Sequence, residues 1–412
     1  MFLTPAEAAA VRERFGTPCY VYDRRALETA ARTGLAFPAP FGFTLRYAIK
    51  ANPCRAILRV FDDLGLHFDA SSDHEADRAI RFCGIAPDKL QLTSQMPSRA
   101  LERLVGLGVR YNACSLHQLD RFGAACPGCE VSIRVNPGLG SGSTNRTNTG
   151  GTGSSFGIWH EHLDDAIALA ARHRVSISGL HTHIGSGSDP AVWKRVARLS
   201  LDIAARLPDV ATVNMGGGFK VARVPGEHAA DLADIGRHVR QELLDFRDRT
   251  GRALRLELEP GTYLVANAGC VVATCIDVVD TGPEGYRFAK LDTGMTEITR
   301  PSLYGAQHPI TVLSEREAAP VVFVGPCCES GDILTPAAGD PEALAPRTLP
   351  VPTVGDLVVI GGAGAYCAAM STINYNSYPQ SPEVLRELDG TLRLVRRRQA
   401  LEQVWANEVV DG

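Results

Sequence analysis

A lysine ends the short apolar run Phe43-Thr44-Leu45-Arg46-Tyr47-Ala48-Ile49 and is followed at once by the turn-forming Ala51-Asn52-Pro53. A lysine at the C-terminal end of a strand sits where barrel enzymes place catalytic groups, so Lys50 is a candidate for the chemistry as well as an ordinary solvated strand cap. His181-Thr182-His183-Ile184-Gly185-Ser186 brings two imidazoles two residues apart, which on a strand share a face; they could face a ligand, bind a metal or pack. Met215-Gly216-Gly217-Gly218-Phe219 exposes successive backbone N–H groups, which suits a phosphate cradle at a strand-to-helix turn. In Glu259-Pro260-Gly261-Thr262 a carboxylate could pair with a protonated ring nitrogen or stay exposed at a strand end, while Gly261 and Thr262 offer further N–H groups. Pro326-Cys327-Cys328-Glu329-Ser330-Gly331-Asp332 packs thiols, two carboxylates and a hydroxyl into a turn, where Cys328 is either a general acid or one more small buried residue. Tyr366 stands in the small-residue run Gly362-Ala363-Gly364-Ala365-Tyr366-Cys367-Ala368-Ala369-Met370, which leaves room for a group that is not protein.

These residues need elements to position them. The Lys50 run is the first of a series of short apolar strands that continues at 65–70, 90–93, 110–113, 131–135, 177–183, 212–215 and 255–259. Amphipathic segments such as 72–82, 98–106, 163–173 and 191–207 separate them. Eight strands alternating with helices over about 220 residues predict a (β/α)8 barrel, in which catalytic groups gather at the C-terminal ends of the strands. Beyond Gly261 the texture changes to β-rich runs at 271–279, 286–291, 321–324 and 356–360 between Gly, Pro and Asp turns, as in an antiparallel barrel or sandwich. The expected architecture is thus α/β plus all-β: a TIM-like barrel over 26–262 that carries the cofactor, and a C-terminal β-barrel or sandwich domain over 263–412, joined by residues 1–25. The Gly-, Ser-, Thr- and Asn-rich stretch 138–155 interrupts the alternation and reads as a mobile active-site loop or a disordered segment.

Composition narrows the function classes. The 412-residue chain is 45% hydrophobic, 21% charged and formally net −4, without a basic cluster, so it has no electrostatic footprint for nucleic acid. No run approaches the roughly 20 apolar residues of a membrane span, and the first residues lack the basic start and apolar core of a signal peptide, so a cytoplasmic protein is expected. The eleven cysteines are odd in number and scattered, which favours small buried residues over a disulfide framework. Cys126-Pro127-Gly128-Cys129 has CxxC spacing, but no second pair follows at zinc-ligand distance, and no metal site is expected.

Taken together and in order, Tyr-Ala-x-Lys-Ala-Asn, His-x-His-Ile-Gly-Ser, Gly-Gly-Gly-Phe, Glu-Pro-Gly, Cys-Glu-Ser-Gly-Asp, Gly-Ala-Tyr and Asn374-Tyr375-Asn376-Ser377 resemble the pyridoxal-phosphate decarboxylases of the alanine-racemase fold type, in the diaminopimelate decarboxylase-like branch. The resemblance runs from about Thr17 to the Asn-Tyr-Asn segment and implies pyridoxal 5'-phosphate as cofactor. It implies that Lys50 holds the cofactor as an internal Schiff base, that His183 stacks on its ring and that Glu259 pairs with the ring nitrogen. Ser186, Gly217, Gly218, Gly261, Thr262 and the Tyr366 hydroxyl would bind the cofactor, mainly through its phosphate. Cys328, as proton donor, and Glu329 would reach into the partner subunit's site, making a homodimer the catalytic unit, and Arg300 and Tyr304 would bind the substrate. The activity implied is decarboxylation of an amino acid, with meso-diaminopimelate first among substrates. Alternatives are an amino acid without the distal carboxylate, such as lysine, ornithine, arginine or carboxynorspermidine, or racemisation on the same scaffold.

Three positions depart from the family pattern. Thr262 stands where Glu-Pro-Gly is normally followed by an arginine that binds the substrate's distal carboxylate, and Tyr378-Pro379 stands where Arg-Pro is usual. Ser155 precedes Phe156-Gly157-Ile158 where a lysine normally lies shortly before that triplet. A threonine cannot make the bidentate, charge-assisted pair of an arginine, so either Arg300 or Arg146 substitutes for it or the far end of the substrate differs.

Overall fold

The computed structural model describes residues 2–140, 149–183, 185 and 190–409. Two compact units divide the chain: Glu28–Val221 with His228–Leu264, and Met1–Leu27 with Ala222–Glu227 and Val265–Gly412.

In the first unit the strands Phe43–Ala48, His67–Ala70, Leu90–Leu92, Arg110–Ala113, Glu130–Asn136, Ser176–His181, Thr212–Asn214 and Arg255–Leu258 pair in parallel, each with the next. Pairing of Arg255–Leu258 with Phe43–Ala48 closes the ring, so the unit is a TIM-like barrel with every expected strand present. Side chains alternate across the wall. Tyr47 turns outward, its ring 4.8 Å from that of Phe61 on the helix Arg55–Asp63, while Arg46 turns into the barrel. Helix starts are written into the strand-to-helix turns: the side chains of Ser72, Ser115 and Asp231 accept N–H groups of the first helical turn, and Gly251 ends Leu232–Thr250 at φ 73°.

The second unit is built on a nine-stranded mixed sheet. Its N-terminal strand Cys19–Asp23 lies between Gly269–Asp280, antiparallel to it, and Glu383–Arg386, parallel to it. Arg287–Leu291 also runs parallel to Ala318–Val324. The expected antiparallel texture is therefore broken at two pairs. Parallel neighbours need a long crossover, and in the first case the connection runs through residues 24–382, the whole barrel and most of the β-rich unit. The helix Pro5–Phe15, started by a Thr4/Glu7 capping box, lays Ala8 and Val11 onto Cys19, Val21, Cys270, Val272, Val359 and Val384. Here and elsewhere cysteines serve as small apolar residues: seven of the eleven are buried.

No described helix is long and apolar enough to cross a membrane. Among the described residues no three His, Cys, Asp or Glu side chains gather as a metal-binding group.

Candidate active site

Lys50 sits in a single 3-10 turn, Ile49–Ala51, directly after the first barrel strand, and is exposed. The turn is pinned from both sides. Asn52 N–H donates to the Ile49 carbonyl at 3.0 Å, the Tyr47 hydroxyl donates to the Asn52 carbonyl at 2.9 Å, and Asn52 Oδ1 accepts the Cys54 N–H at 3.1 Å. Extended backbone at Asn52 is what a following proline demands.

Across the barrel mouth Glu259 is buried and fully engaged. His181 Nε2 donates to its Oε2 at 2.9 Å, while Gln91 Nε2 and Asn214 Nδ2 donate to Oε1 at 2.8 and 2.6 Å. Burial alone would raise its pKa, but the pairing with His181, the Arg46 charge and the Asn214 hydrogen bond outweigh that and hold the carboxyl below its ordinary value. Asp69, on the strand His67–Ala70 one place beyond Phe43–Ala48, has the opposite fate: burial, then the Glu259 charge, push it well above. Their surroundings thus shift the two acids in opposite directions.

Below Glu259 lies a second acidic layer. Glu257, two residues earlier and on the same face, is gripped by Arg46 through Nε (2.9 Å) and Nη2 (3.0 Å), and by Arg110 Nη1 at 2.7 Å. Burial opposes its charge, yet the Arg46 and Arg110 guanidiniums bring it down to about 2.

The two histidines of His181-Thr182-His183 part company. The strand ends at His181, and His183 beyond it accepts the Gly217 N–H on Nδ1 at 3.1 Å. Burial, then the charges of Arg134 and Lys50, keep His183 well below the usual imidazole pKa, so its ring is neutral with the proton on Nε2. The glycine turn beside it admits no side chain. Gly216 and Gly218 sit at φ 70° and 94°, and a Cβ on Gly217 would lie 2.1 Å from the Glu259 carbonyl oxygen. Gly261 precedes the one-turn helix Thr262–Val265, and its carbonyl accepts the Leu264 N–H at 3.1 Å. Ser186 and Arg146 lie outside the described residues, as does the central part of the loop 138–155, residues 141–148. The base of that loop is clamped by Asn136, whose Oδ1 accepts the N–H groups of Gly138 (3.1 Å) and Gly151 (2.9 Å).

The remaining candidates belong to the β-rich unit. The Cys328 side chain is exposed, and its N–H donates to Asn376 Oδ1 at 2.8 Å. Glu329, also exposed, accepts the Gly331 N–H at 3.0 Å. Asp332 instead organises the turn, accepting the N–H groups of Met295 (2.6 Å) and Cys327 (3.0 Å) against Gly294 and Gly325, where a Cβ would strike its carboxylate. Burial and Asp332 push the Cys327 thiol up to about 12, which disqualifies it as an acid near neutral pH. Arg300 and Tyr304 begin and end one helical turn, and the Tyr304 hydroxyl lies 3.9 Å from Met370 Sδ. Tyr366 takes φ 54°, a costly conformation for a non-glycine residue that places its ring by backbone strain. Tyr378, at the position of the usual arginine, donates to the Pro326 carbonyl at 3.3 Å.

Sequence reasoning did not single out Asp69, Gln91, Asn112, Arg134 or Asn214. Their signal was a polar residue embedded among apolar ones inside a barrel strand, always near its C-terminal end. Several of them carry buried polar atoms without a partner among the described residues: Asp69 Oδ1, Asn112 Oδ1, Arg134 Nη2 and, beside them, His181 Nδ1. Together with an ionised Glu259, a neutral His183, an exposed Lys50 amine and a side-chain-free glycine turn, they fit a flat, polar, phosphorylated pyridine held through a lysine.

A closed parallel barrel of this kind, with Lys50, His183 and Glu259 at its strand ends and a separate mixed β-sheet unit, defines a pyridoxal-phosphate decarboxylase of the alanine-racemase fold type. Residues 27–266 match the family described as pyridoxal-dependent decarboxylase, pyridoxal binding domain. The chain is 38% identical to diaminopimelate decarboxylase of Streptomyces coelicolor, over 99% of this chain and 92% of that one, and 35% identical to that of Escherichia coli K12, over 99% and 97%. A crystal structure of diaminopimelate decarboxylase superposes with a TM-score of 0.90 at 34% identity, covering 98% of this chain and 96% of the other. The Helicobacter pylori enzyme, solved with L-lysine, gives 0.85 at 27% identity, covering 97% and 98%. The chain belongs to the diaminopimelate decarboxylase family and, like its relatives, acts on an amino acid.

Proposed function

We propose that this protein decarboxylates meso-diaminopimelate to L-lysine and carbon dioxide, as a cytoplasmic homodimer. The observation that carries this reading is the ionised Glu259, fixed by His181, Gln91 and Asn214. When bound, pyridoxal phosphate supplies the electron sink that accepts the pair left behind as carbon dioxide departs. Glu259 holds the proton on the ring nitrogen, and the neutral His183 ring covers the cofactor without competing for that proton. Lys50 carries the cofactor through its amine. The N–H groups of Gly218, Gly261 and Thr262, with Ser186 and the Tyr366 hydroxyl, take the phosphate; the Gly217 N–H, already given to His183 Nδ1, sets the orientation of that ring. Arg300 and Tyr304 bind the substrate. Exposed Cys328 and Glu329 serve the partner subunit's site, where Cys328 Sγ returns a proton to the substrate carbon.

A second reading has one observation in its favour: Thr262, in place of the arginine for the distal carboxylate, suits a substrate that lacks it. Both are tested by reconstituting the purified protein with pyridoxal phosphate and assaying carbon dioxide and amine product from meso-diaminopimelate, both enantiomers of lysine, ornithine and arginine, and carboxynorspermidine. Preference for meso-diaminopimelate is expected; preference for a monocarboxylic substrate establishes the second reading. Loss of optical rotation without carbon dioxide release would mark a racemase. Lys50→Ala should lose the visible absorption of lysine-bound cofactor.

A further inference from the structure

Cys126-Pro127-Gly128-Cys129 takes no part in the chemistry above. It joins the helix Leu116–Ala125 to the barrel strand Glu130–Asn136 at the N-terminal end of that strand, whereas Lys50 and Glu259 lie past the C-terminal ends of theirs. The turn is narrow. The Cys129 N–H donates to the Cys126 carbonyl at 3.2 Å, Pro127 fixes φ at the first corner, and Gly128 takes φ 80° at the second, the pattern of a type II β-turn. Such a turn holds its outer Cα atoms less than about 7 Å apart. Disulfides span Cα separations of about 4.4–6.8 Å, so the backbone is already shaped for one.

Both cysteines are also anchored from outside the turn. The Cys126 N–H donates to the Phe122 carbonyl at 2.8 Å, and the Cys129 carbonyl accepts the Ser176 N–H at 3.0 Å from the neighbouring strand. Pro127 and Gly128 are exposed and the two cysteines are half-buried, while a Cβ added to Gly128 would meet open space among the described residues, so a small thiol reagent can reach the pair. Burial, then the neighbouring Cys129 sulfur and Glu102, push the Cys126 thiol above its ordinary value. The pair also closes a helix C-terminus, where the helix dipole disfavours a thiolate. Thiols that catalyse disulfide exchange sit at helix N-termini, which lower their pKa; this pair is built to form one bond within its own chain.

We infer that Cys126 and Cys129 are a modification site, a dithiol that closes reversibly to a disulfide and staples the end of the helix Leu116–Ala125 to the start of the strand Glu130–Asn136. The oxidant is a low-molecular-weight disulfide such as oxidised glutathione. The Cys129 thiolate attacks one of its sulfurs and expels a thiolate; Cys126, having given its proton to solvent, then attacks the Cys129 sulfur of the mixed disulfide and expels the second. Two protein thiols are oxidised, one small disulfide is reduced, and the two protons end on the small thiols. In a reducing compartment the bond forms only while the thiol pool is oxidised.

The holoenzyme is equilibrated in glutathione buffers of graded ratio, quenched in acid, alkylated and digested. The tryptic peptide 122–134 contains both cysteines and no other. In oxidising buffer it should lose two hydrogens and resist alkylation, and dithiothreitol should restore both alkylation sites. Cys126→Ser should instead accumulate glutathione on Cys129. The oxidised protein should unfold at higher urea than the reduced one, a gap absent in the double variant Cys126→Ser/Cys129→Ser. Glutathione on both sulfurs without ring closure overturns the site, as does an unchanged peptide in buffers that already modify the exposed Cys328. A urea gap that is absent, reversed or retained in the double variant overturns the staple. If either variant does not fold, peptide mapping of the wild type still decides the site.

Discussion

Glu257 and Glu259 share the side-chain amide of Asn214, whose Nδ2 stands 3.3 Å from Glu257 Oε2 and 2.6 Å from Glu259 Oε1. The end of the last barrel strand thereby carries two carboxylates on the same face, two residues apart, joined by one donor. The lower acid answers to Arg46 and Arg110, the upper to His181 and Gln91.

Glu257→Gln should destabilise the barrel by about 3–5 kcal/mol at neutral pH, because Arg46, buried, loses its charged partner. The folded pKa of Glu257, about 2, lies below the unfolded value of about 4.3. Its contribution is therefore complete above the unfolded value and is lost as pH falls through the folded one. Urea unfolding of both proteins from pH 7 to pH 2.5 should show the gap narrowing in that window. A gap that stays constant would mean that the charge is not its source.

Glu259→Gln should keep the cofactor on Lys50 but lose about 10²–10³ in kcat, the scale on which a preorganised charged group contributes. Borohydride reduction followed by peptide mapping reports the attachment, and steady-state assay reports the rate. Near-normal turnover would remove Glu259 from the ring nitrogen.

Gly217→Ala would put a methyl group 2.1 Å from the Glu259 carbonyl oxygen. The expected cost is about 1–3 kcal/mol, with weaker binding of pyridoxal phosphate because the turn must move. Thermal unfolding and spectral titration of the apoenzyme measure the two, and normal values in both would show that the turn has slack.

Asn376→Ala removes the acceptor of the Cys328 N–H. Stability should change by about 1 kcal/mol or less, as for a partly exposed hydrogen bond, while kcat falls because the Cys328 turn is no longer held. Equal losses in both, or none in kcat, would make Asn376 merely a structural residue.

Much of this was legible locally. Strand periodicity marked eight barrel strands, and the residues closing them, Lys50, His183 and Glu259, follow from the rule that barrels do chemistry at that end. Cys19–Asp23 read as a strand, yet nothing in its five residues says that its neighbours are Gly269–Asp280 and Glu383–Arg386, far away in the chain.

By itself the sequence determined which residues lie on which face and where each strand ends, since these depend on periods of two and 3.6 and on glycines and prolines at turns. Only the tertiary structure decided that His181 serves Glu259 while His183 takes the Gly217 N–H, that Asp69 and Glu259 are shifted in opposite directions, and that Ala222–Glu227 groups with the β-rich unit. Those outcomes depend on ring closure, burial and the field of distant charges, which bring together groups that no spacing along the chain relates.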